Sequence, residues 1–393
     1  MWVLLLALVL LGDLSWEQAR LRRWQRAVPL RIVVTGTRGK STVVRLLGSA
    51  LRESGRRVLA KTTGAEPSVV TPDGRVHPIQ RHGAASILEQ KLCVQEAHQL
   101  GADCVVAELM SIHRENHVVE SQKLLRPQVV VVTNVGLDHT DAMGDTRDEV
   151  ASVLAECLTP GSDVFVPETE RLEPLEAMAR RRGARIHAVP SPPEGAEPSR
   201  RHARLHFSRN VELVRAVAEH LGAEGEAISR GLAAAQLDVG QLGIWRCPLV
   251  SPGSATESSG HLFAINAFAA NDPRSTREAM DKALSILPSV SRVVGLVSLR
   301  SDRADRTLQW VAALQDEARE WFDRLFFVGR HALAARRALG WGEVVGSSSP
   351  RTVMTSVAAE MADGDVLVGL GNLGGVGRSL VELWRQEGEA YGP

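Results

Sequence analysis

Several residue types are scarce in this sequence of 393 residues, and each shortage argues against a class of protein. Lysine occurs at only five positions, so nearly all positive charge comes from arginine. The 46 basic and 46 acidic side chains cancel, which removes any overall electrostatic case for nucleic acid as a partner. The four cysteines show no C-x-x-C spacing. A disulfide or zinc framework is therefore not expected, and a reduced, intracellular catalytic part is the simplest interpretation.

Long apolar runs are also missing, with the exception of the N-terminal segment. Residues 1–12, MWVLLLALVLLG, are uncharged but shorter than the about 20 apolar residues that span a bilayer. The basic run at residues 20–23 follows the apolar segment, whereas a secretory signal carries its charge first. The positive-inside rule then keeps the rest of the chain cytoplasmic. We expect residues 1–30 to be a membrane-associating segment with a basic linker, at the cytoplasmic face of the cell membrane. A helix packed on the protein itself or on a partner is the alternative.

Residues 31–48, RIVVTGTRGKSTVVRLLG, contain a short apolar strand, a glycine-rich turn and the start of an apolar helical pattern. Such a turn brings backbone N–H groups and the positive end of a helix dipole to a phosphate. Lys40 would reach the terminal phosphates, and the hydroxyl of Ser41 or Thr42 would ligate Mg²⁺. The alternative without a binding role is a tight turn with a solvated lysine. The predicted phosphate-binding residues are Gly36, Thr37, Arg38, Gly39, Lys40, Ser41 and Thr42.

Two further polar clusters come directly after apolar strands, which predicts that they lie beside this loop. Glu108 follows the strand at 104–107, and His139, in the run D-H-T-D at 138–141, follows the strand at 129–132. Continuous apolar runs that alternate with helical patterns indicate a parallel α/β sheet, which binds ligands at the carboxyl ends of its strands. Glu108 is predicted to hold Mg²⁺, and His139 a second metal or the γ-phosphate. A solvated glutamate and a structural histidine are the alternatives.

The C-terminal part shows a second, smaller α/β pattern after the break at 251–260. We therefore predict an ATP-binding domain at 31–250 and a substrate-binding domain at 251–393. Asn271 and Asp272 follow an apolar strand, and the run R-S-D-R-A-D-R at 300–306, which includes Arg303, follows another. Clustered arginines at a strand end suit phosphate or carboxylate groups, although a solvated charge run is the alternative. The glycine run at 369–375 is either a second anion site or a tight turn.

Together these motifs resemble the ATP-binding domain of Mur ligases and folylpolyglutamate synthases. That resemblance rests on T-G-T-R-G-K-S-T at 35–42, on Glu108 and on the residues at 133–141. The chain resembles more closely the poly-γ-glutamate synthase subunits PgsB and CapB, a family of the Mur ligase superfamily. The closer resemblance covers nearly the whole chain. It rests on the apolar start and on K-T-T-G at 61–64, N-A-F-A-A-N-D at 266–272, R-S-D-R-A-D-R at 300–306 and G-N at 371–372.

The resemblance implies an ATP- and Mg²⁺-dependent acid–amino-acid ligase that works through an acyl phosphate and releases ADP and phosphate. It implies that Lys40 holds the β- and γ-phosphates, that Ser41 or Thr42 and Glu108 serve Mg²⁺, and that His139 serves a second metal. It also implies that Asn210, at the start of a helix, lies near the nucleotide. Asn271, Asp272 and Arg303 would then contact nucleotide or substrate. The implied partners are glutamate, poly-γ-glutamate, small membrane subunits and the membrane, and a homo-oligomer stays open.

Two departures from the Mur pattern change what is expected. The loop begins near residue 36, so we expect no separate N-terminal domain for a UDP-linked substrate. Many Mur ligases carry a carbamylated lysine shortly after the histidine, but no lysine lies between Lys123 and Lys282 here. The ligands of a second metal therefore stay open.

Three functional hypotheses remain at this point. The first is an amide ligase that extends poly-γ-glutamate for a capsule or a released polymer. The second is a folylpolyglutamate-synthase-like ligase that acts on a small acceptor. The third is a P-loop ATPase that energises polymer export, against which the polar clusters of the C-terminal domain argue.

Overall fold

A computed structural model of the chain describes most of its residues, in two compact units. The first unit comprises described residues up to 191 together with 208–235, and the second comprises those from 242 onwards. The described ranges are 2–64, 67–81, 83, 85–137, 139–191, 208–235, 242–250, 258–268, 270, 273–302 and 304–391.

The first unit is built on an eight-stranded sheet whose strands alternate with helices. Its strands are β1 (Leu30–Thr35), β2 (Val58–Thr62), β3 (Ser68–Val70), β4 (Val76–Pro78), β5 (Cys104–Glu108), β6 (Val129–Val132), β7 (Asp163–Pro167) and β8 (Arg185–Val189). Its helices are α1 (Trp2–Ala27), α2 (Lys40–Glu53), α3 (Glu89–Gln99), α4 (Arg114–His117), α5 (Thr140–Met143), α6 (Arg147–Ala155), α7 (Glu173–Arg182), α8 (Ser208–His220) and α9 (Gly225–Ala234). A π-helical turn (Val118–Leu125) and a 3₁₀ turn (Glu168–Glu170) complete it.

The strand order of this sheet places β1 at its centre. The order is β4-β3-β2-β5-β1-β6-β7-β8, and β1 pairs in parallel with β5 on one side and with β6 on the other. The short hairpin β3–β4 adds antiparallel strands at one edge. The carboxyl ends of β5, β1 and β6 are therefore neighbours, so the residues directly after these three strands meet at one place.

Both faces of the sheet are covered, which explains the continuous apolar runs of its central strands. Along β1, Val33 belongs to the core on one face, whereas Ile32 and Val34 belong to the core on the other face. Because successive side chains of a strand point to opposite faces, a strand buried on both sides needs apolar residues at every position. The predicted parallel α/β class is confirmed for this unit.

Helix α1 combines a docked C-terminal half with an exposed N-terminal half. Trp24 and Gln25 are buried, and the Gln25 side chain donates hydrogen bonds of 2.9 Å to the carbonyl oxygens of Lys123 and Leu124. The large apolar side chains from Trp2 to Leu14 are all at least half exposed. By length and composition α1 is the one described helix that could cross a membrane, which is weak evidence because signal sequences meet the same test. The C-terminal half of α1 thus packs on the protein itself, whereas membrane association of the exposed half stays a prediction.

The second unit is a smaller α/β domain with a seven-stranded sheet, as predicted for the C-terminal part. The sheet order is β13-β12-β11-β14-β10-β9-β15, with β9 and β15 antiparallel to their neighbours. Its strands are β9 (Ile244–Val250), β10 (Ser258–Asn266), β11 (Val293–Leu299), β12 (Arg324–Gly329), β13 (Glu343–Val345), β14 (Val366–Gly371) and β15 (Glu389–Ala390). Its helices are α10 (Pro273–Leu284), α11 (Ala304–Trp321), α12 (Ala332–Leu339), α13 (Pro350–Ala358) and α14 (Val376–Glu387).

The position of β9 corrects the predicted domain division at residue 250. Strand β9 pairs with β10 in the second sheet, with Ile244 opposite Ile265, so residues 244–250 belong to the C-terminal unit. The sequence prediction assigned them to the ATP-binding domain. Parallel strands are usually joined by a helix, which helps to predict them, whereas an antiparallel edge strand needs no such helix. Its sequence alone does not determine which sheet it joins.

Helix α9 packs so closely on α2 that Gly231 has no room for a side chain. A Cβ atom at Gly231 would lie 2.4 Å from the Cα atom of Ala50. We predict that Gly231→Ala lowers the free energy of unfolding by about 1–3 kcal/mol, because overpacking against backbone outweighs the better helix propensity of alanine. Thermal unfolding followed by circular dichroism measures this change. Gly225→Ala in the same helix is the control, since a Cβ there meets nothing within 4 Å and should be neutral or stabilising. Equal melting temperatures for both variants would contradict the close packing.

Candidate active site

Two glycines shape the loop between β1 and α2, and neither position accepts a side chain. Gly36 and Gly39 have φ angles of 127° and 76°, in the region that favours glycine. A Cβ on Gly36 would lie 2.2 Å from the Thr133 hydroxyl oxygen, and one on Gly39 would lie 2.8 Å from the Asn210 side-chain nitrogen. The loop is therefore enclosed on one side by the residues after β6 and on another by α8.

The segment after β6 holds the loop through hydrogen bonds to its backbone. The side-chain oxygen of Asn134 accepts from the Arg38 amide at 2.8 Å and from the Thr37 hydroxyl at 2.9 Å. The Thr133 hydroxyl donates to the Arg38 carbonyl oxygen at 2.5 Å. These bonds fix the path of the loop before any ligand binds. The sequence singled out this segment for His139, whereas Thr133 and Asn134 act here as positioning residues.

Glu108, the last residue of β5, lies beside the start of α2. Its carboxylate is buried and accepts a hydrogen bond of 2.7 Å from the Ser41 hydroxyl and one of 2.8 Å from the Thr63 amide. Among the described residues, no cationic side chain lies within ion-pair distance of this carboxylate. A buried carboxylate without a cationic partner is costly unless a cation is supplied from elsewhere. Ser41, rather than Thr42, is the residue whose hydroxyl reaches Glu108.

The N-terminus of α2 presents its first turn to the loop without a side-chain cap. Gly39 is the N-cap residue, and it can supply no side-chain hydrogen bond to the amides of the first turn. Lys40 is the first residue of α2, and its ammonium group donates to the Gly36 carbonyl oxygen at 2.7 Å. Uncapped amides, the helix dipole and a lysine together form an anion site.

A cavity of about 150 Å³ lies next to these groups, at the carboxyl ends of β1 and β5. Lys40, Glu108 and His139 line it, so the structure brings these three predicted residues together. His139 has a φ angle of 47°, which is uncommon for a residue other than glycine and is typical of constrained positions at functional sites.

His117 lines the same cavity and was missed by the sequence prediction. It is the last residue of α4 and is only 1% exposed, and neither ring nitrogen has a hydrogen-bond partner among the described residues. Burial lowers the pKa of His117 to about 4, and the positive charge of Lys40 contributes in the same direction. The imidazole is therefore neutral at physiological pH. No sequence motif includes this residue. It lies nine residues after Glu108, and it reaches the cavity only because the folded chain returns to the end of β5.

Asn210 lies beside the loop, as its predicted role near the nucleotide requires. It is buried in the first turn of α8, and its side-chain nitrogen would meet a Cβ on Gly39. Its contribution to nucleotide binding stays a prediction.

For the site predicted in the C-terminal unit, the structure describes only the neighbours of the predicted residues. Asn271, Asp272 and Arg303, and also Asp138 of the first unit, lie outside the described residues. The described neighbours are polar and lie at strand ends: Asn266 ends β10, and the Asn372 side chain, after β14, donates to the Ser298 carbonyl oxygen of β11 at 3.2 Å. Arg300, after β11, makes a two-pronged ion pair with Asp302. The roles of Asn271, Asp272 and Arg303 stay predictions.

The residues of the first unit fit a nucleoside triphosphate with a divalent cation. The two glycines let the loop backbone turn tightly and approach a ligand, and the helix start without a side-chain cap offers N–H groups to phosphate. The Ser41 hydroxyl and the Glu108 carboxylate are oxygen donors, the ligand type that hard cations such as Mg²⁺ prefer. His139 and His117 offer nitrogen, which binds Mg²⁺ less readily and Mn²⁺ better.

Comparisons with known proteins agree with this geometry. The family model of the Mur ligase middle domain matches residues 34–163. The family model of the poly-gamma-glutamate synthase CapB C-terminal domain matches residues 254–387. The two matches fall on the two structural units.

Individual relatives extend the similarity over nearly the whole chain. PGA synthase CapB of Bacillus subtilis is 29% identical over 398 residues, which cover 97% of each chain. Capsule biosynthesis protein CapB of Bacillus anthracis is 30% identical over 299 residues, which cover 75% of this chain and 62% of that protein.

A solved structure shows the same fold. A bifunctional folylpolyglutamate synthase/dihydrofolate synthase from Yersinia pestis, complexed with AMPPNP and a Mn ion, superimposes with a TM-score of 0.64 at 18% identity. The superposition covers 93% of this chain and 92% of that one. The family models and the two relatives therefore show that this chain is an ATP-dependent amide-bond ligase that resembles the poly-gamma-glutamate synthase CapB and other Mur ligases, and the solved structure shows the same fold.

Proposed function

We propose that this protein joins glutamate to a growing poly-γ-glutamate chain at the expense of ATP. The observation that carries the proposal is the coexistence of an ATP-type loop, with Ser41 and Glu108 in contact, and a C-terminal unit that matches the CapB C-terminal domain. The relatives named PGA synthase and capsule biosynthesis protein supply the substrate class.

The loop residues would bind and orient the triphosphate. The amides at the start of α2 and the Lys40 ammonium stabilise negative charge on the β- and γ-phosphates, and the tight turn at Gly36 and Gly39 lets the backbone approach them. To do so, the ammonium exchanges its bond to the Gly36 carbonyl oxygen for phosphate oxygens. Asn210 closes the loop on the side of α8.

Ser41 and Glu108 would hold Mg²⁺, with His139 near a second ion. A divalent cation supplies neutralisation of phosphate charge during transfer. The Thr63 amide keeps the Glu108 carboxylate oriented toward Ser41. Ser41 and Glu108 are already in contact, so little side-chain ordering is required when the ion binds.

The proposed reaction proceeds in two steps that balance. A carboxylate oxygen at the polymer end attacks the γ-phosphorus of ATP, and ADP leaves. The uncharged amine of the incoming glutamate then attacks the acyl carbon, an amide bond forms, and phosphate leaves with that carboxylate oxygen. The amine nitrogen releases one proton to solvent or buffer as the amide forms and keeps the other as the amide N–H.

The C-terminal unit would supply the pocket for the incoming glutamate. The ends of β10, β11 and β14 converge on Asn266, Ser298 and Asn372, and Arg300 comes directly after β11. Amide and guanidinium donors at such an edge suit carboxylates. Asn271, Asp272 and Arg303 come after the same strands in sequence, and we assign them to this pocket or to the nucleotide.

His117 is proposed to contact the reacting groups directly. A neutral imidazole offers one N–H donor and one lone pair, which suits a phosphate oxygen or a metal-bound water. Leaving both ring nitrogens unpaired destabilises the fold, since an unsatisfied buried polar group costs about 1–3 kcal/mol. Such a residue in the reaction cavity is typical of sites where stability is given up for function.

The membrane would hold the enzyme through the exposed half of α1. The apolar residues 2–11 are followed by Arg20, Arg22, Arg23 and Arg26 on the same helix, and this order of apolar and basic residues supports a cytoplasmic position of the catalytic units. Small membrane subunits are the proposed partners of this segment.

The first prediction concerns the loop. Membranes that contain this protein and its partner subunits receive labelled glutamate, ATP and Mg²⁺, and polymer and ADP are measured together. Lys40→Ala and Glu108→Gln should each lower both products by at least about 100-fold, because each removes a group that stabilises transferring charge. Lys123→Ala, at an exposed lysine outside the site, is the matched control. Wild-type-like turnover in Lys40→Ala would remove the loop from the mechanism. Glutamate transfer to a folate-type acceptor, with no polymer, would favour the folylpolyglutamate-synthase hypothesis.

The second prediction separates activity from stability at His117. His117→Phe removes both unpaired nitrogens from a buried position, so the melting temperature should stay equal or rise. The kcat for glutamate incorporation should fall at least about tenfold, in line with the loss of one polar catalytic contact. A variant with unchanged kcat would show that His117 has a structural role only.

The third prediction concerns the membrane. The double variant Leu6→Asp, Leu10→Asp should move the protein from the membrane pellet to the soluble fraction. Each charge on the apolar segment raises the free energy of insertion by roughly 2.5–3.5 kcal/mol. Leu308→Asp, at an exposed leucine of α11, is the control and should stay in the pellet. Retention of the double variant in the pellet would show that α1 is not the anchor.

A further inference from the structure

A second group of ligand-type side chains lies away from the ATP loop, in the first unit. Asp163 opens β7, His187 is the third residue of β8, and His220 is the last residue of α8. One ligand atom from each lies within 4.8 Å of the other two. Because Asp163 is at the amino end of a parallel strand, this group is at the edge of the sheet opposite to the loop.

Two distances among these atoms lie on either side of the spacing between ligand atoms of a bound transition-metal ion, and the shorter one is also a hydrogen bond between His187 and Asp163. His187 Nε2 lies 2.8 Å from Asp163 Oδ1, and His220 Nε2 lies 3.6 Å from Asp163 Oδ2. In a tetrahedral zinc site with bonds of 2.0–2.1 Å, neighbouring ligand atoms are about 3.3 Å apart. Small rotations of side chains would bring all three to one ion.

Aromatic packing holds the two imidazoles in place. Phe165, two residues after Asp163 on β7, stacks on the His187 ring with centroids 4.6 Å apart and meets the edge of the His220 ring at 5.2 Å. The His187 and His220 side chains are 34% and 37% exposed, which leaves a path for an ion from solvent. The ligands are therefore oriented before binding and remain accessible.

Arg185 also binds the Asp163 carboxylate, and its positive charge repels a metal cation at the same group. Its guanidinium donates to Oδ1 and Oδ2 at 2.8 Å each and keeps the pKa of Asp163 low, at about 2. Each carboxylate oxygen can accept two bonds, so one lone pair per oxygen remains on the side of the histidines. The Arg185 side chain is 66% exposed, so solvent weakens its repulsion of a second cation. It acts as an orienting partner of the carboxylate.

We propose that Asp163, His187 and His220 form a binding site for a divalent transition-metal ion of the zinc type. Two imidazoles and one carboxylate suit Zn²⁺ or Co²⁺ better than Mg²⁺, which prefers oxygen ligands alone. The ion would tie together β7, β8 and α8. Helix α8 also carries Asn210, which packs on Gly39, so the ion would fix the far end of a helix that borders the ATP loop.

Metal titration of the full-length protein tests this proposal. The protein is prepared without a polyhistidine tag, treated with chelator and titrated with Co²⁺, whose visible d–d absorption reports tetrahedral coordination. Glu108→Gln serves as the background, because it weakens the divalent site at the loop. We expect one Co²⁺ per chain, displaced by Zn²⁺, and a higher melting temperature with Zn²⁺ bound.

Single substitutions of the ligands distinguish a built site from adventitious binding. His187→Gln and His220→Gln should each weaken Co²⁺ binding at least about tenfold and abolish the stabilisation by Zn²⁺. His77→Gln, at an exposed histidine of β4, is the matched control and should bind like its parent. No tetrahedral absorption, or the same affinity in both ligand variants as in the control, would overturn the proposal.

Discussion

The active site of this protein depends on one constraint: β1 lies between β5 and β6, and the turn and helix after β1 pack against the carboxyl ends of both neighbouring strands. A Cβ on Gly36 would collide with the Thr133 hydroxyl, and the start of α2 brings Ser41 to Glu108. The sheet order therefore builds the site, since it joins residues that lie far apart in the sequence. Among the residues that the structure describes, neither the N-terminus of α2 nor the buried Glu108 carboxylate has an ion-pair partner of opposite charge. The phosphates of a nucleotide would supply negative charge at the N-terminus of α2, and a divalent cation would supply positive charge at Glu108.

The sequence was sufficient to predict the parts of the site that lie at strand ends. Continuous apolar runs predicted β1, β5 and β6. The rule that ligands bind at the carboxyl ends of parallel strands then predicted that Lys40, Glu108 and His139 lie together. Asn210 was assigned to the nucleotide by resemblance, and the structure puts it beside Gly39.

The parts that could not be predicted depend on tertiary contacts. His117 belongs to no motif, and only the packing of α4 turns it toward the cavity and leaves it without a partner among the described residues. Thr63 reaches Glu108 through a backbone amide, a contact that carries no side-chain signal. The sequence prediction put β9 in the ATP-binding domain, whereas the strand pairs with β10 in the C-terminal sheet. Strand pairing joins residues that are distant in sequence, so the local sequence does not determine it. The proposed metal site joins β7, β8 and α8 through residues spread from 163 to 220, a spacing that no short ligand pattern covers.

The measurement that tests the central claim most directly traces one oxygen atom. A glutamate oligomer labelled with ¹⁸O in its carboxylates is supplied with ATP, Mg²⁺ and glutamate, and the released phosphate is analysed by mass spectrometry. The account predicts one ¹⁸O atom transferred to phosphate for each amide bond formed, because a carboxylate oxygen of the acceptor leaves with the γ-phosphorus. Unlabelled phosphate would contradict it and identify the protein as an ATPase. Label recovered in AMP would instead indicate an adenylate intermediate.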